Sequence, residues 1–402
     1  MKAFKVFTFV VILLLSNDIF GGSNYQIREL GKVNYFSQAD VMGRGGTSIA
    51  MFDRTAINTI NPAGLIFVNL TRISGDFYYE KIEYKKSSFN GVSDYSNLHG
   101  VRLLVPLAVN KFVISLGLKP YSKRDFNVEG SGKLASGNEY EKQIVNKGGL
   151  NQLSFGMASG FNDRVFAGLF LNYNFGRLEE NWKVDYVSDY YLDTSDHIIS
   201  TLWGGSITAG LMVKVKSNFY VGGVFSPKAK LLFNKKIEYT FGGIKEIEKE
   251  NMKLPYAWGI GASYILKDRV RLSCDYFSQP WSKFEIDNTT LDNYNNSYNI
   301  SSGIEFRLSE KMFDSYYKRI SYRAGFHYSK LCYQDDNGYD VSEYLGTFGV
   351  GLPFYSGVGR LDIALGFGKR GNLNDNSVEE SLFQLMISIS GGEKWFHRRK
   401  QN

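Results

Sequence analysis

The side chains able to do chemistry are few and scattered. His327 lies between Ser321 and Ser329 in a stretch that alternates apolar and polar residues, so the three share one face. A serine nucleophile needs a histidine base within hydrogen-bond reach and a third group to orient that base. Neighbours two apart on one strand diverge from such geometry. His99, His197 and His397 are far apart in the chain, and no GxSxG element occurs. Metal-ligand types are not clustered, so the reading is of a chain without catalytic residues, metal or cofactor. "GRGGTS", Gly43 to Ser48, lacks the GxxxxGK[ST] spacing and the strand–helix setting of a phosphate loop. Close backbone packing explains its glycines better. Ionisable groups recur in pairs instead: Arg271 with Asp275, Glu305 with Arg307, Arg323 with His327, Arg360 with Asp362. Each pair falls on the polar face of an alternating stretch, which predicts an interior that neutralises itself.

Those charges must be held by strands. From Val270, the apolar set Val270, Leu272, Cys274 and Tyr276 alternates with Arg269, Arg271, Ser273 and Asp275. The same period of two runs from Ile300, Ile320 and Leu361. About 14 such stretches lie between residues 66 and 390. Their connections differ in kind. Tight turns are expected at 109–111, 162–164, 216–218, 267–269 and 355–359, and long polar loops at 81–97, 123–147, 179–197, 233–251 and 284–296. Short turns at one rim and long loops at the other mark an outer-membrane β-barrel rather than a soluble sandwich.

Composition agrees. Among 402 residues there are 42 Gly, 30 Phe and 27 Tyr but only 7 Pro. After residue 15 no apolar run is long enough for a membrane helix. Lys2 and Lys5 ahead of the apolar run Val6–Leu15 read as a secretory signal peptide, ending near Gly21 and Gly22. The formal charge of +7 is spread thinly, without the basic stripe of a nucleic-acid protein. Cys274 and Cys332 make no disulfide framework. The organisation expected is a signal peptide (1–21), an N-terminal plug (22–65), an all-β transmembrane barrel (66–391) and a basic tail (392–402).

Between signal and barrel stands "MGRGGTSIAMFDRTAINTINPAGL", Met42 to Leu65. Pro62 biases Asn61 toward extended geometry, the Asn61 amide can bond nearby backbone, and Gly64 permits a positive φ. With about 14 strands after it, this stretch resembles the FadL family of outer-membrane transporters for long-chain fatty acids and other hydrophobic molecules. The resemblance implies a hatch that ends in an Asn-Pro-Ala motif, here Asn61, Pro62 and Ala63, and plugs the lumen. Asn61, Pro62, Ala63 and Gly64 are then the ligand and gating residues. The position before the motif, often aromatic in relatives, is Ile60 here.

The resemblance also implies passive inward passage of hydrophobic molecules, with outer-membrane lipids around the wall and no nucleic acid as partner. Arg271, Arg307 and Arg323 form a candidate group for holding a ligand carboxylate, because guanidinium offers a planar fork. In such proteins a kinked early strand opens the wall sideways. By strand rise and tilt Pro120 stands about 21 Å above Lys111, near the rim, whereas Gly117 stands about 14 Å up and is the kink candidate. The alternative is a non-transporting barrel whose long loops anchor or shuttle partner proteins at the cell surface.

Overall fold

The computed structural model describes residues 23–395 apart from 24, 26–29, 87–88, 135–136, 189, 292–293, 310, 312, 336–337 and 355–357, with backbone alone at 89 and 246–249. The expected signal peptide and most of the basic tail lie outside these residues. The remainder is a closed antiparallel barrel of 14 strands. Its wall begins with β2 (Thr71–Lys86) and β3 (Phe89–Ala108), after a two-residue strand β1 (Lys32–Val33). It continues through β4 (Phe112–Lys123) with its extension β5 (Phe126–Lys133), then β6 (Glu139–Gly160), β7 (Val165–Tyr186) and β8 (Thr194–Lys216). Next come two broken strands, β9 (Phe219–Ser226) with β10 (Ala229–Tyr239), and β11 (Gly243–Leu254) with β12 (Ala257–Leu266). Pro227 and Pro255 stand at the two breaks, where a residue without an N–H cannot continue a ladder. The ring is completed by β13 (Val270–Gln279), β16 (Ser297–Phe306), β17 (Ser321–Gln334), β18 (Asp340–Phe354), β19 (Gly359–Arg370) and β20 (Val378–Glu393), with short β14 (Glu285–Ile286) and β15 (Thr289–Thr290) between β13 and β16. Pairing of β20 with β2 from Thr71↔Glu393 to Lys86↔Val378 closes it.

Alternation sorts the faces as expected. On β13, Leu272 and Cys274 are exposed while Ser273 and Asp275 are buried. On β17, Tyr322 and Phe326 face out, and Ser321, Arg323, His327 and Ser329 face in. Trp258, Tyr276, Tyr298 and Tyr328 make a continuous row across four strands, with ring centroids 5.5, 6.1 and 6.0 Å apart. Such a row is the aromatic girdle of one membrane interface. Both cysteines are free.

The long loops are corrected. Residues 81–97, 123–147, 179–197 and 233–251 are mostly strand: β2 and β3 stay paired to Lys86↔Phe89, β6 and β7 to Tyr140↔Tyr186, β10 and β11 to Tyr239↔Gly243. Above the apolar band outward side chains face water on both sides of the wall. The period-two hydropathy signal fades there, although the backbone ladder continues. At 22 residues each, β6 and β7 rise roughly 50 Å when tilted near 45°, about twice an apolar band of ~25 Å. Residues 280–296 differ again: Trp281, Phe284 and Tyr294 fold inward and are buried. The tight turns all lie at the opposite rim, where a longer connection carries α2 (Tyr316–Arg319), numbered after α1 (Ala39–Gly43).

Ile363 is the middle of the three outward aliphatics of β19. Ile363→Arg is expected to cost about 2–4 kcal/mol in reversible unfolding from lipid vesicles. Val92→Arg, above the girdle, should stay within about 0.5 kcal/mol.

Candidate functional site: a filled lumen beside an open seam

The Asn-Pro-Ala turn is built as a wall anchor. Asn61 is extended (φ −103°, ψ 109°) and caps a 3-10 turn, Pro62–Phe67, by accepting from the Ala63 amide at 3.0 Å. Its Nδ2 donates to the carbonyls of Ile49 (2.7 Å) and Leu211 (3.2 Å), so one side chain ties the turn, the glycine-rich run and β8 together. Asn58 Oδ1 accepts from the amides of Ile60 and Asn61. The turn lies directly against Gly168 and Gly210: a Cβ on Gly168 would come within 2.5 Å of Pro62, and one on Gly210 would overlap the Asn61 amide oxygen. Gly64 does not have the positive φ expected of it. It continues the 3-10 turn, and its lack of a side chain leaves room for Asn58. Ile57, Ala63, Leu65, Ile66 and Val68 then pack against Leu104, Val113, Phe166 and Met212 of the wall.

The other half of the lumen is charged. Arg323 donates to Glu305 (2.7 Å) and Asp362 (2.6 Å); Arg44, just beyond α1, donates to Glu305 (3.1 Å) and Asp40 (2.8 Å). Arg360 pairs with Asp362 (2.6 Å) and Asp53 (2.8 Å). Burial pushes the Asp53 carboxyl up, but the Arg360 guanidinium, with help from Arg307, pulls it well below the ordinary carboxylate value. Gly45, at φ +65°, brings the backbone against β17, where a Cβ would meet the Phe326 amide at 2.5 Å. Asp275 accepts from the amides of Ser48 (2.5 Å) and Ile49 (2.7 Å). Arg360 and Asp362 pair along β19, as their spacing suggests, while the other pairs run across strands and to the N-terminal segment. Directly opposed residues on adjacent strands are about 5 Å apart, closer than residues two apart on one strand.

A second charged layer, absent from the sequence reading, sits nearer the opposite rim. Arg370 bonds Glu343 (2.6 Å) and Glu380 (2.7 Å), and Lys32 reaches Glu343 (3.1 Å) and Glu80 (3.6 Å). Glu80 shares the inward parity of Asp76, Tyr78 and Ile82, which was its only local signal. Barrel closure is what sets it beside residues 300 positions away.

Gly117 is corrected as the kink. It pairs with Arg102 on one side and Ser154 on the other, and the β3–β4 ladder is continuous from Val113 to Leu118. The ladder ends one step higher, at Val101↔Leu118. Above that point β3 pairs with β2, and β4 and β5 pair with β6, which leaves a seam between β3 and β4 among the described residues. Pro120 stands at this point, at a bulge in the β4–β6 ladder. β1 occupies part of the free edge through Lys32↔Lys123 and Val33↔Ser122, and the Asn34 amide donates to Tyr121 O at 2.9 Å. Behind the seam lies a cavity of about 170 Å³. Tyr35, Phe36, Ile60, Phe170, Val224 and Phe277 supply apolar walls, and Asn172, Asn174 and Gln279 add amides.

A family model described as BamG matches residues 2–402. The chain belongs to the BamG family. No curated protein matches it in sequence. Its fold is of the FadL type. CymD, a monoaromatic hydrocarbon channel, is 17% identical, with 91% of this chain and 100% of that chain covered at a TM-score of 0.60. The toluene transporter TbuX of Ralstonia pickettii is 16% identical over 93% of this chain and 100% of its own, also at 0.60. A FadL homologue of Pseudomonas aeruginosa is 12% identical over 90% and 99%, again at 0.60. At these identities the likeness is one of fold.

Of the residues singled out from the sequence, Asn61, Pro62, Ala63 and Gly64 form one turn against β7 and β8. Arg271 and Arg307 line a common cavity at the turn-side rim. Arg323 lies apart from it, enclosed by Glu305 and Asp362. His327 Nδ1 meets Ser301, on β16, at 3.0 Å, and its ring packs edge-on to Phe36.

Arg323→Gln leaves two buried carboxylates short of a partner and is expected to cost about 3–5 kcal/mol, read as faster proteolysis within residues 44–60. Asp53 has a depressed folded pKa, so its stabilisation is complete above the unfolded carboxylate value and is lost only as pH falls through the folded one. The difference in cleavage between wild type and Asp53→Asn should accordingly stay constant from neutrality down to about pH 4.

Proposed function

We propose that the protein sits in the outer membrane of a Gram-negative cell and passes small hydrophobic molecules inward by diffusion, without a cofactor. Residues 22–65 act as the hatch, and the Asn61–Gly64 turn is the hinge on which it shifts. One observation carries this reading: the aromatic-walled cavity lies directly behind the seam between β3 and β4. A hydrophobic molecule held there is separated from the bilayer by β1 and by side chains such as Lys123, whose ammonium lies 3.5 Å over the Tyr95 ring. Neither barrier is a full β-ladder, so it opens at low cost compared with the rest of the wall.

Size supports an aromatic-ring-sized cargo over a long acyl chain. Apolar cavities of about 150 Å³ admit benzene, and the cavity here is about 170 Å³. The fold neighbours CymD and TbuX, described as a monoaromatic hydrocarbon channel and a toluene transporter, support the same class. Ser301 and His327, 3.0 Å apart, line the cavity. His327 Nε2 is buried without a hydrogen-bond partner among the described residues, so no third group orients the ring as a catalytic base. This favours passage over catalysis.

A second reading draws on the height of the wall. Paired strands such as β6 and β7 extend far above the aromatic girdle and present a rigid surface at the cell exterior. That surface suits a barrel that anchors or shuttles partner proteins.

Ile60→Trp fills the cavity from the hatch side. It should lower the initial rate of labelled toluene entry into reconstituted vesicles at least about fivefold. Equal rates for vesicles with and without wild-type protein would reject transport. Recovery of one cell-surface protein by wild type, lost on shortening the β6–β7 hairpin, would then favour the second reading.

A further inference from the structure

A second cavity, of about 260 Å³, opens at the turn-side rim, beneath the hatch and away from the seam. Five arginines line it: Arg54, Arg271, Arg307, Arg319 and Arg360. Asp53 is the one carboxylate among its lining residues. The acids just behind it are already engaged, because Glu305 accepts from Arg44 and Arg323, and Asp362 accepts from Arg323 and Arg360. Arg271 reaches Glu305 only at 3.6 Å and lays its guanidinium 4.3 Å over the Phe52 ring. The Nε atoms of Arg271 and Arg319 are buried without an acceptor among the described residues. All the cationic residues of the lining are arginine, the side chain whose planar fork matches oxyanions.

We propose that this cavity is a binding site for a phosphate-bearing ligand that enters from the periplasmic side. Charge decides the class. A single carboxylate is satisfied by one fork, as Asp53 is by Arg360. Five guanidinium groups converging on one space call for an anion of higher charge with several acceptor oxygens, and a phosphoryl group has close to two charges and three such oxygens. Asp53 is the internal stand-in. Its Oδ1 is held by the amide and hydroxyl of Thr55, both at 2.7 Å, which presents Oδ2 to Arg360. An incoming phosphate competes with Asp53 for Arg360, so occupancy bears on the hatch segment Phe52–Thr55. Free phosphates and phospholipid headgroups offer the same chemistry.

The test is calorimetric titration of the full-length purified protein with inorganic phosphate, pyrophosphate and citrate, alongside flotation with phosphatidylglycerol or phosphatidylcholine vesicles. Saturable pyrophosphate binding, weakened at least tenfold in the R54Q/R319Q double variant, tightened in D53N and unchanged in K245Q at the opposite rim, is the expected result. Arg54 and Arg319 lie outside the barrel strands, and heat-shifted gel migration checks that each variant is folded. Binding that depends on Arg54 and Arg319, seen with phosphatidylglycerol but not with free phosphates, supports the site and assigns the lipid source. The proposal is overturned by three outcomes: no saturable binding of either source, affinities indifferent to the double variant, or citrate bound as tightly as pyrophosphate. None of these bears on toluene entry, which tests the seam and its cavity separately.

Discussion

A wall in hydrocarbon must pair every backbone N–H and C=O within itself, because lipid offers no partner. The β2–β20 ladder meets that demand by closing the ring. Closure has a consequence inside. Fourteen strands enclose more space than side chains of the wall can fill, and the N-terminal segment occupies it with buried backbone of its own. That backbone also needs partners. The side chains of Asn61, Asn58 and Asp275 answer the need, each bonding amides or carbonyls of the segment. Glycines at 168 and 210 let the main chain come close enough for this to work.

The two halves of the filling obey different physics. Around the Asn-Pro-Ala turn the contact is apolar and depends on fit. Around α1 it is ionic, and taking so many charges from water is costly unless each is paired in good geometry. Arg323, with no exposed side-chain surface and bonds to two carboxylates, illustrates the arrangement. Such a lattice is intolerant of losing a member, and it orients the segment uniquely. The apolar half, next to the seam, has fewer such pairs, Arg102 with Asp76 (2.6 Å) among them. A moving part is therefore better placed beside the seam than among the ion pairs.

At the seam a long stretch of strand edge in the described wall is not matched by its neighbour. It exists because β3 stays with β2 while β4 leans toward β6 above Leu118, with Pro120 removing an amide where the two part. β1 mends part of the gap with two residues from the hatch. Wall integrity and hatch position are thus coupled through Lys32, which also joins the Glu80–Glu343 layer.

Much of this was legible in residue order. Period-two alternation on β13, β16, β17 and β19 determined which side chains face lipid, and the short turns determined which rim is which. Asn61 and Pro62 determined their own turn, since φ restriction and an Asx bond act over two or three residues. Gly64 was misread because a glycine can serve φ or space, and only neighbours reveal which. Gly117 was misread because a kink depends on whether the adjacent strand follows. The partners of Arg323, the meeting of Glu80 with Arg370, and the convergence of five arginines on one rim were decided by the tertiary structure alone. Alternation carries the parity of a side chain, which is local. Ring closure and strand register carry its partner, and these join residues hundreds of positions apart.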